Sequence, residues 1–393
     1  MKKLNLPLAL GLFAFSISTI YGCNLKTEKL ENKALVTNAI QPEYKEPAKH
    51  YVKIALLLDT SNSMDGLINQ AKAQLWDIVN EFTYARCGNE VRPALQIALY
   101  EYGNDDISSR EGHIRQVIGF SSDLDEISEK LFSLTTNGGE EFCGQVINKS
   151  LKQLDWGKNE DDLKLIFIAG NEPFTQGKLN YMDATSQAKE KDVIVNTIFC
   201  GNYDQGVGSK WKNGAELTGG EYIAIDHNRQ VVHVATPYDD IIIQLNSKLN
   251  KTYIGYGYAG AKKIAVQETQ DSNAYEINES VALKRAVSKS SRLYNNSSWD
   301  LVDASEDKEF KVSKLKKEDL PSELKGKTNA QIEKYIAAKK TERAKIKKEI
   351  QELNKKRELY IAKNQKEEQG ELEGALLRAI KNQAATKNYS WDN

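Results

Sequence analysis

Ile54-Ala55-Leu56-Leu57-Leu58-Asp59-Thr60-Ser61-Asn62-Ser63 is the stretch on which the fold turns. Its apolar residues leave no polar face, the pattern of a strand buried on both sides of a parallel sheet. An acid follows at once, then hydroxyls at alternate positions. Leu67, Ile68, Ala71, Leu75, Ile78, Val79 and Phe82 then recur at helical spacing, so the next element is a helix that covers one face of that strand. The unit is strand, loop, helix. In an open α/β sheet, ligands bind where loops leave the carboxyl ends of the strands.

The logic repeats downstream. Leu95–Tyr100, Ile114–Ile118, Leu163–Ile168, Val193–Phe199 and Glu221–Ile225 read as further strands. Leu124–Leu134, Val146–Leu154, Tyr181–Lys191 and Ile241–Leu249 read as helices between or after them. Residues 50–251 are therefore expected to form one doubly wound, mostly parallel α/β domain. Residues 252–304 are a mixed segment with a helix over Val281–Tyr294, and to them we assign no chemistry. Residues 305–393 are rich in Lys and Glu, with no glycine between Gly326 and Gly370, which predicts long helices. Ile332, Ile336, Ile346, Ile350, Leu353 and Tyr360 fall on an alternating three-four seam interrupted by Lys339, Arg343 and Arg357, so a helical hairpin or modest coiled coil is expected.

An acid at a strand end with Ser61 and Ser63 beside it presents hard oxygens converging on one point, a set that suits Mg²⁺ or Mn²⁺. The D-T-S-N-S string, following a fully apolar strand and preceding a long amphipathic helix, resembles the first segment of the metal-dependent adhesion site of von Willebrand factor A domains. The resemblance covers about half the chain. It implies a Rossmann-like fold and a divalent ion held by Asp59, Ser61 and Ser63. It also implies a threonine from a second loop, an aspartate after a later strand, and one position left for an acidic residue of a partner protein. The second loop is Thr135-Thr136-Asn137-Gly138-Gly139-Glu140-Glu141, where Thr135, Thr136 or Glu140 could serve. The third reads Ala169-Gly170-Asn171-Glu172-Pro173, without the aspartate, so Asn171 and Glu172 are the candidates there. The segments 170–174 and 197–201 look like those of a subgroup of bacterial exported A-domain proteins.

The N-terminus reads as an export signal over residues 1–22: Lys2 and Lys3 precede an apolar run from Leu4 to Ile20 that is short for a membrane span. Ile20-Tyr21-Gly22-Cys23 resembles the bacterial lipobox, which implies lipidation of Cys23 and anchoring in the cell envelope, at the outer membrane on its periplasmic or surface face. Residues 23–49, polar and charged, are expected to be a flexible tether.

The formal charge is -1, from 54 basic and 55 acidic residues, so the electrostatic footprint of a nucleic-acid binder is missing and no polynucleotide partner is expected. His50, His113, His227 and His233 show no zinc-ligand spacing. Gly326-Lys327-Thr328 has Pro321 where a P-loop needs its first glycine, and no G-x-S-x-G occurs, so a nucleotidase or a serine hydrolase of that type has no basis. No catalytic residues are assigned. Once Cys23 is lipidated, Cys87, Cys143 and Cys200 remain, and a Cys143–Cys200 disulfide is expected because both follow elements at the pole of the metal loops. Two functions are carried forward: an envelope lipoprotein that binds a protein through a Mg²⁺ site, and a structural envelope protein with a metal-free A-type fold whose helices make the contacts.

Overall fold

The protein is described by a computed structural model covering residues 49–62, 64–88, 91–225, 234–364 and 371–391, without the side chains of 371–373. The signal segment, Cys23, most of the tether and Ser63 lie outside the described residues.

Chain order over the first part is β1 (Tyr51–Asp59), α1 (Asp65–Thr83), β2 (Ala85–Cys87), β3 (Ala94–Tyr102), β4 (Ile114–Ser121), α2 (Leu124–Phe132), α3 (Cys143–Gln153), β5 (Leu163–Gly170), α4 (Tyr181–Glu190), β6 (Ile194–Cys200), α5 (Tyr203–Gly208), α6 (Trp211–Glu216), β7 (Tyr222–Ile225) and α7 (Asp239–Asn250). Among the described residues, β4-β3-β1-β5-β6-β7 form one sheet in that order. Only β4 runs antiparallel, paired to β3 at the edge. This is the expected doubly wound α/β fold.

β1 is central and buried because its side chains serve two cores. Val52, Ile54, Leu56 and Leu58 join one with α1, α2 and α7, whereas Ala55 and Leu57 join the other with α3, α4 and α6. Each fully buried aliphatic side chain is worth about 1.5–3 kcal/mol, so a single polar substitution in this run would be costly. The alternation accounts for the unbroken apolar string: both parities of the strand are interior.

Beyond α7 come α8 (Gly257–Ile277), α9 (Glu279–Ser290), α10 (Leu301–Ala304), α11 (Asn329–Asn364), α12 (Glu371–Ala385) and β8 (Tyr389–Trp391). They build onto the first core. α9 packs on α1 and α7, α11 on α7 and α9, and α12 on α1 and β7. Pro47–Asn393 thus make one compact unit. The expected seam of α11 exists, with Ile332, Ile336, Ile346 and Ile350 buried, but it is spent on the body of its own chain and not on a coiled-coil partner helix.

The residues that interrupt that seam explain why. Arg343 is buried, with Nη1 2.6 Å from both Asp300 Oδ2 and Asp303 Oδ1, Nη2 donating to the Thr252 carbonyl at 2.8 Å, and its guanidinium 3.9 Å from the centre of the Tyr253 ring. Arg357 Nε lies 3.1 Å from Asp239 Oδ1. Both arginines are internal ion-pair partners that fix α11 in register on the domain. A second buried network does the same for α8 and α9: Arg285 bridges Asp125 at 2.8 Å and Asp271 at 2.6 Å, and Lys289 Nζ lies 2.7 Å from Asp271. Burial alone would raise the Asp271 pKa, but Lys289 and Arg285 outweigh it and hold the carboxyl below its usual range.

The chain's last described strand, β8, pairs antiparallel with β2, and Trp391 Nε1 donates to the Glu81 carbonyl at 3.1 Å.

Candidate metal centre

The first three carboxyl ends to meet are those of β1, β3 and β5, and register places Asp59 beside Tyr102 and one step from Gly170. Asp59 has no exposed surface. Its Oδ1 accepts the Ser61 amide N–H at 2.8 Å, and the Asn171 amide also donates to the carboxylate. Oδ2 has no partner.

The second loop is strapped over the first. The Asn137 amide donates to the Thr60 carbonyl at 3.0 Å, the Gly138 amide to Asn62 Oδ1 at 2.8 Å, and Asn104 Nδ2 to the Thr135 carbonyl at 2.9 Å. Gly139, at φ +126°, presses on the backbone of Gly103, where a Cβ would sit 1.9 Å from the Gly103 oxygen. This compact strap drives Glu141 inward. Glu141 is 4% exposed, and its Oε2, like Asp59 Oδ2, has no partner.

Glu141 and Asp59 crowd the same glycine. A Cβ on Gly103 would lie 2.6 Å from Glu141 Cγ and 3.0 Å from Asp59 Oδ1. On the other side, a Cβ on Gly170 would lie 3.0 Å from Asp59 Oδ2 and 2.5 Å from Tyr102 Oη. The Ser61 hydroxyl lies close enough to both acids to favour their charged forms. Burial raises the Asp59 pKa to about 6 against the opposing hydrogen bonds of Ser61 and Asn171, with Glu172 raising it further. Burial likewise raises Glu141 to about 8, and the Asp59 and Glu172 charges add to it while Ser61 opposes. The principal influences on the pair contain no basic group.

Two buried carboxylates with an unpartnered oxygen each, the Ser61 hydroxyl close by and a glycine-lined cradle are groups that could contribute to holding a hard divalent cation. Among the described residues, no group of three or more His, Cys, Asp and Glu side chains could hold a metal ion. A shell here would therefore need Ser61, water and further oxygens beside Asp59 and Glu141.

The residues expected from the sequence are distributed unequally. Asp59 and Ser61 lie at the centre, the Asn171 amide reaches Asp59, and Glu172 is exposed but close enough to act on both acids through its charge. Ser63 lies outside the described residues. Thr135 is exposed, and the Thr136 hydroxyl donates to Asp65 Oδ1 at 2.7 Å, at the start of α1. Glu140 is exposed, and its neighbour Glu141 occupies the place beside Asp59. The sequence reading named Thr135, Thr136 or Glu140 and not Glu141, which the fold places beside Asp59; the paired glycines before it, which fold the loop back, are the signal that points to it.

The expected Cys143–Cys200 disulfide is corrected: both are free, buried thiols, as is Cys87. Cys143 sits in the core with α3 and α4, with Sγ 3.9 Å from Tyr102 Oη, and Cys200 sits in the core on the other side of the sheet. A sheet between two thiols prevents the Cβ approach a disulfide requires.

Residues 53–209 match the von Willebrand factor type A domain family, and the fold built here is of that class. Solved structures that resemble the chain include the conserved hypothetical protein BatB from Bacteroides thetaiotaomicron, at 16% identity over 44% of this chain and 90% of that one, with a TM-score of 0.33. An aerotolerance-related membrane protein from Bacteroides fragilis is 15% identical over 45% of this chain and 93% of that one, with a TM-score of 0.31. Proximal thread matrix protein 1 from the mussel byssus, with a zinc-occupied adhesion motif, is 13% identical over 46% of this chain and 43% of that one, with a TM-score of 0.34. No curated protein matches the chain.

Proposed function

We propose that the chain is a cell-envelope protein, lipid-anchored through Cys23, whose A-type domain is a non-enzymatic protein-binding module assisted by Mg²⁺ or Mn²⁺. Asp59, Ser61 and Glu141 would hold the ion, with Ser63 contributing as the motif implies and Asn171 fixing Asp59 through its amide. The ion would supply a bridge: a Lewis-acidic centre with a position open to an oxygen atom of the partner. The single observation that carries the reading is the pair of buried carboxylates whose Oδ2 and Oε2 have no hydrogen-bond partner. Leaving two such groups without a counter-charge is costly, and a bound cation removes that cost. Among the described residues no helix is long and apolar enough to cross a membrane, so the attachment proposed here rests on the N-terminal signal and Cys23.

Calorimetric titration of Mg²⁺ or Mn²⁺ into the full chain tests the reading, with Asp59→Ala as its control. Saturable binding is expected in the parent and none in the variant. Absence of binding in both would abandon the metal bridge in favour of a structural envelope protein that makes its contacts through the C-terminal helices.

A further inference from the structure

The metal-binding reading leaves open what kind of protein surface meets this pole, and the charges around it bear on that question. A divalent ion carries two positive charges, and Asp59 with Glu141 already brings two carboxylates to it. The ion's charge would then be balanced within the site, so the long-range charge that a partner meets is set by the rim.

That rim is acidic. Asp65, Asp105, Asp106, Glu140 and Glu172 are all exposed. Most are positioned by neutral groups that leave their charge intact. Thr136 Oγ1 donates to Asp65 at 2.7 Å, Asn137 Nδ2 donates to Asp106 Oδ1 at 2.9 Å, and Asp105 lies against Gly138, where a Cβ would meet its Oδ2 at 2.1 Å. His113 Nδ1 is 3.7 Å from Asp105 Oδ1. Lys72 feels the Asp65 charge, but its ammonium lies over the Phe132 ring, 4.9 Å from the ring centre. Among the described residues, the exposed bases on the loops of this pole are Arg110, Lys178 and Lys210, and Arg115 at the start of β4 is paired to Glu101, so exposed bases are fewer than the acids. Like charges facing each other across an interface are penalised, and complementary ones steer association.

We infer that this pole docks a basic protein segment, rich in Lys and Arg, which pairs with the acidic rim around the ion. The inference rests on the reading of the pole as a cation-assisted binding site, and the two unpartnered buried oxygens at its centre are what mark the acidic surface as a site.

The test uses the full chain with 2 mM Mg²⁺ and fluorescent oligolysine and oligoglutamate peptides, read by anisotropy at low and high salt. Three proteins are compared: the parent, a rim variant (Asp105→Asn, Asp106→Asn, Glu140→Gln), and a control variant on the exposed face of α11 (Glu349→Gln, Glu352→Gln, Glu358→Gln). The expected result is oligolysine binding that weakens with salt, falls at least tenfold in the rim variant and stays within twofold in the control. Tighter binding of oligoglutamate, or an equal loss in the two variants, overturns the inference. A parallel Mg²⁺ titration keeps the two ideas separate: pole-specific oligolysine binding without any Mg²⁺ binding removes the ion and leaves the basic partner standing.

Discussion

Glu141 reaches Asp59 across the backbone of Gly103, in a space that exists because Gly103 has no Cβ. The contact joins the loop after α2 to the end of the central strand, and it turns a single acid into a pair.

Glu141→Gln should lower Mg²⁺ affinity by about 10–100-fold, since it removes charge from the shell while keeping its shape. Glu140→Gln, one residue earlier and exposed, should leave affinity within about twofold. Calorimetry on the two variants side by side checks this, and equal effects would place the second-loop ligand elsewhere.

The pair also sets a pH dependence. Asp59 and Glu141 titrate at about 6 and about 8 in the folded chain, above the roughly 4 of an unfolded carboxyl, so the folded form holds more protons over that interval. Stability of the cation-free chain should therefore fall as pH rises from about 4 to about 8. Saturating Mg²⁺ should flatten the slope, and Glu141→Gln should flatten its upper half. Melting temperatures across that range, with EDTA and with Mg²⁺, measure it; a cation-free chain that gains stability from pH 5 to 8 through this pair contradicts the assignment.

Arg343 should be the most sensitive position of the C-terminal part. Arg343→Ala strands Asp300 and Asp303 in the interior and should cost about 3–5 kcal/mol in urea unfolding. Adding Asp300→Asn and Asp303→Asn should recover part of that loss, because the stranded charges are then gone. A loss below about 1 kcal/mol for the single variant would mean that α11 is held by its isoleucines and Arg357 without help from Arg343.

The thiols give a direct readout of sheet topology. Peptide mapping of the unreduced chain should find Cys87, Cys143 and Cys200 all unbridged, and thiol reagents should reach them slowly until denaturant is added. A Cys143–Cys200 cross-linked peptide would require the two cores to be joined around the sheet.

Much of the sheet was legible because its strands carry apolar runs of the kind a doubly buried position explains, unbroken in Ile54–Leu58 and Leu165–Ile168 and with few polar breaks in Val193–Phe199. α8 was not, because its buried positions are Gly260, Gln267, Gln270 and Ala274, a face held by hydrogen bonding and close approach that leaves no apolar stripe. β2 and β8, three residues each, carry too little period to register. In the site, Asp59 and Ser61 were readable from a strand end with a fixed offset, whereas the second loop has no periodicity to tell Glu140 from Glu141. The disulfide misjudgement had a readable remedy. On β6, Val195 and Phe199 face one core and Ile198 and Cys200 the other, so strand parity already separates Cys200 from the α3 side.

β1 begins at Tyr51, where the chain enters the folded unit, and ends at Asp59, at the proposed bridge. Nine residues of extended chain, about 30 Å, connect the two points without a turn. Tension between an anchored N-terminal segment and a captured partner would run lengthwise down this strand, laced to β3 on one edge and β5 on the other. Many backbone hydrogen bonds would then bear the load in shear at once, a geometry suited to a protein that must hold on while being pulled.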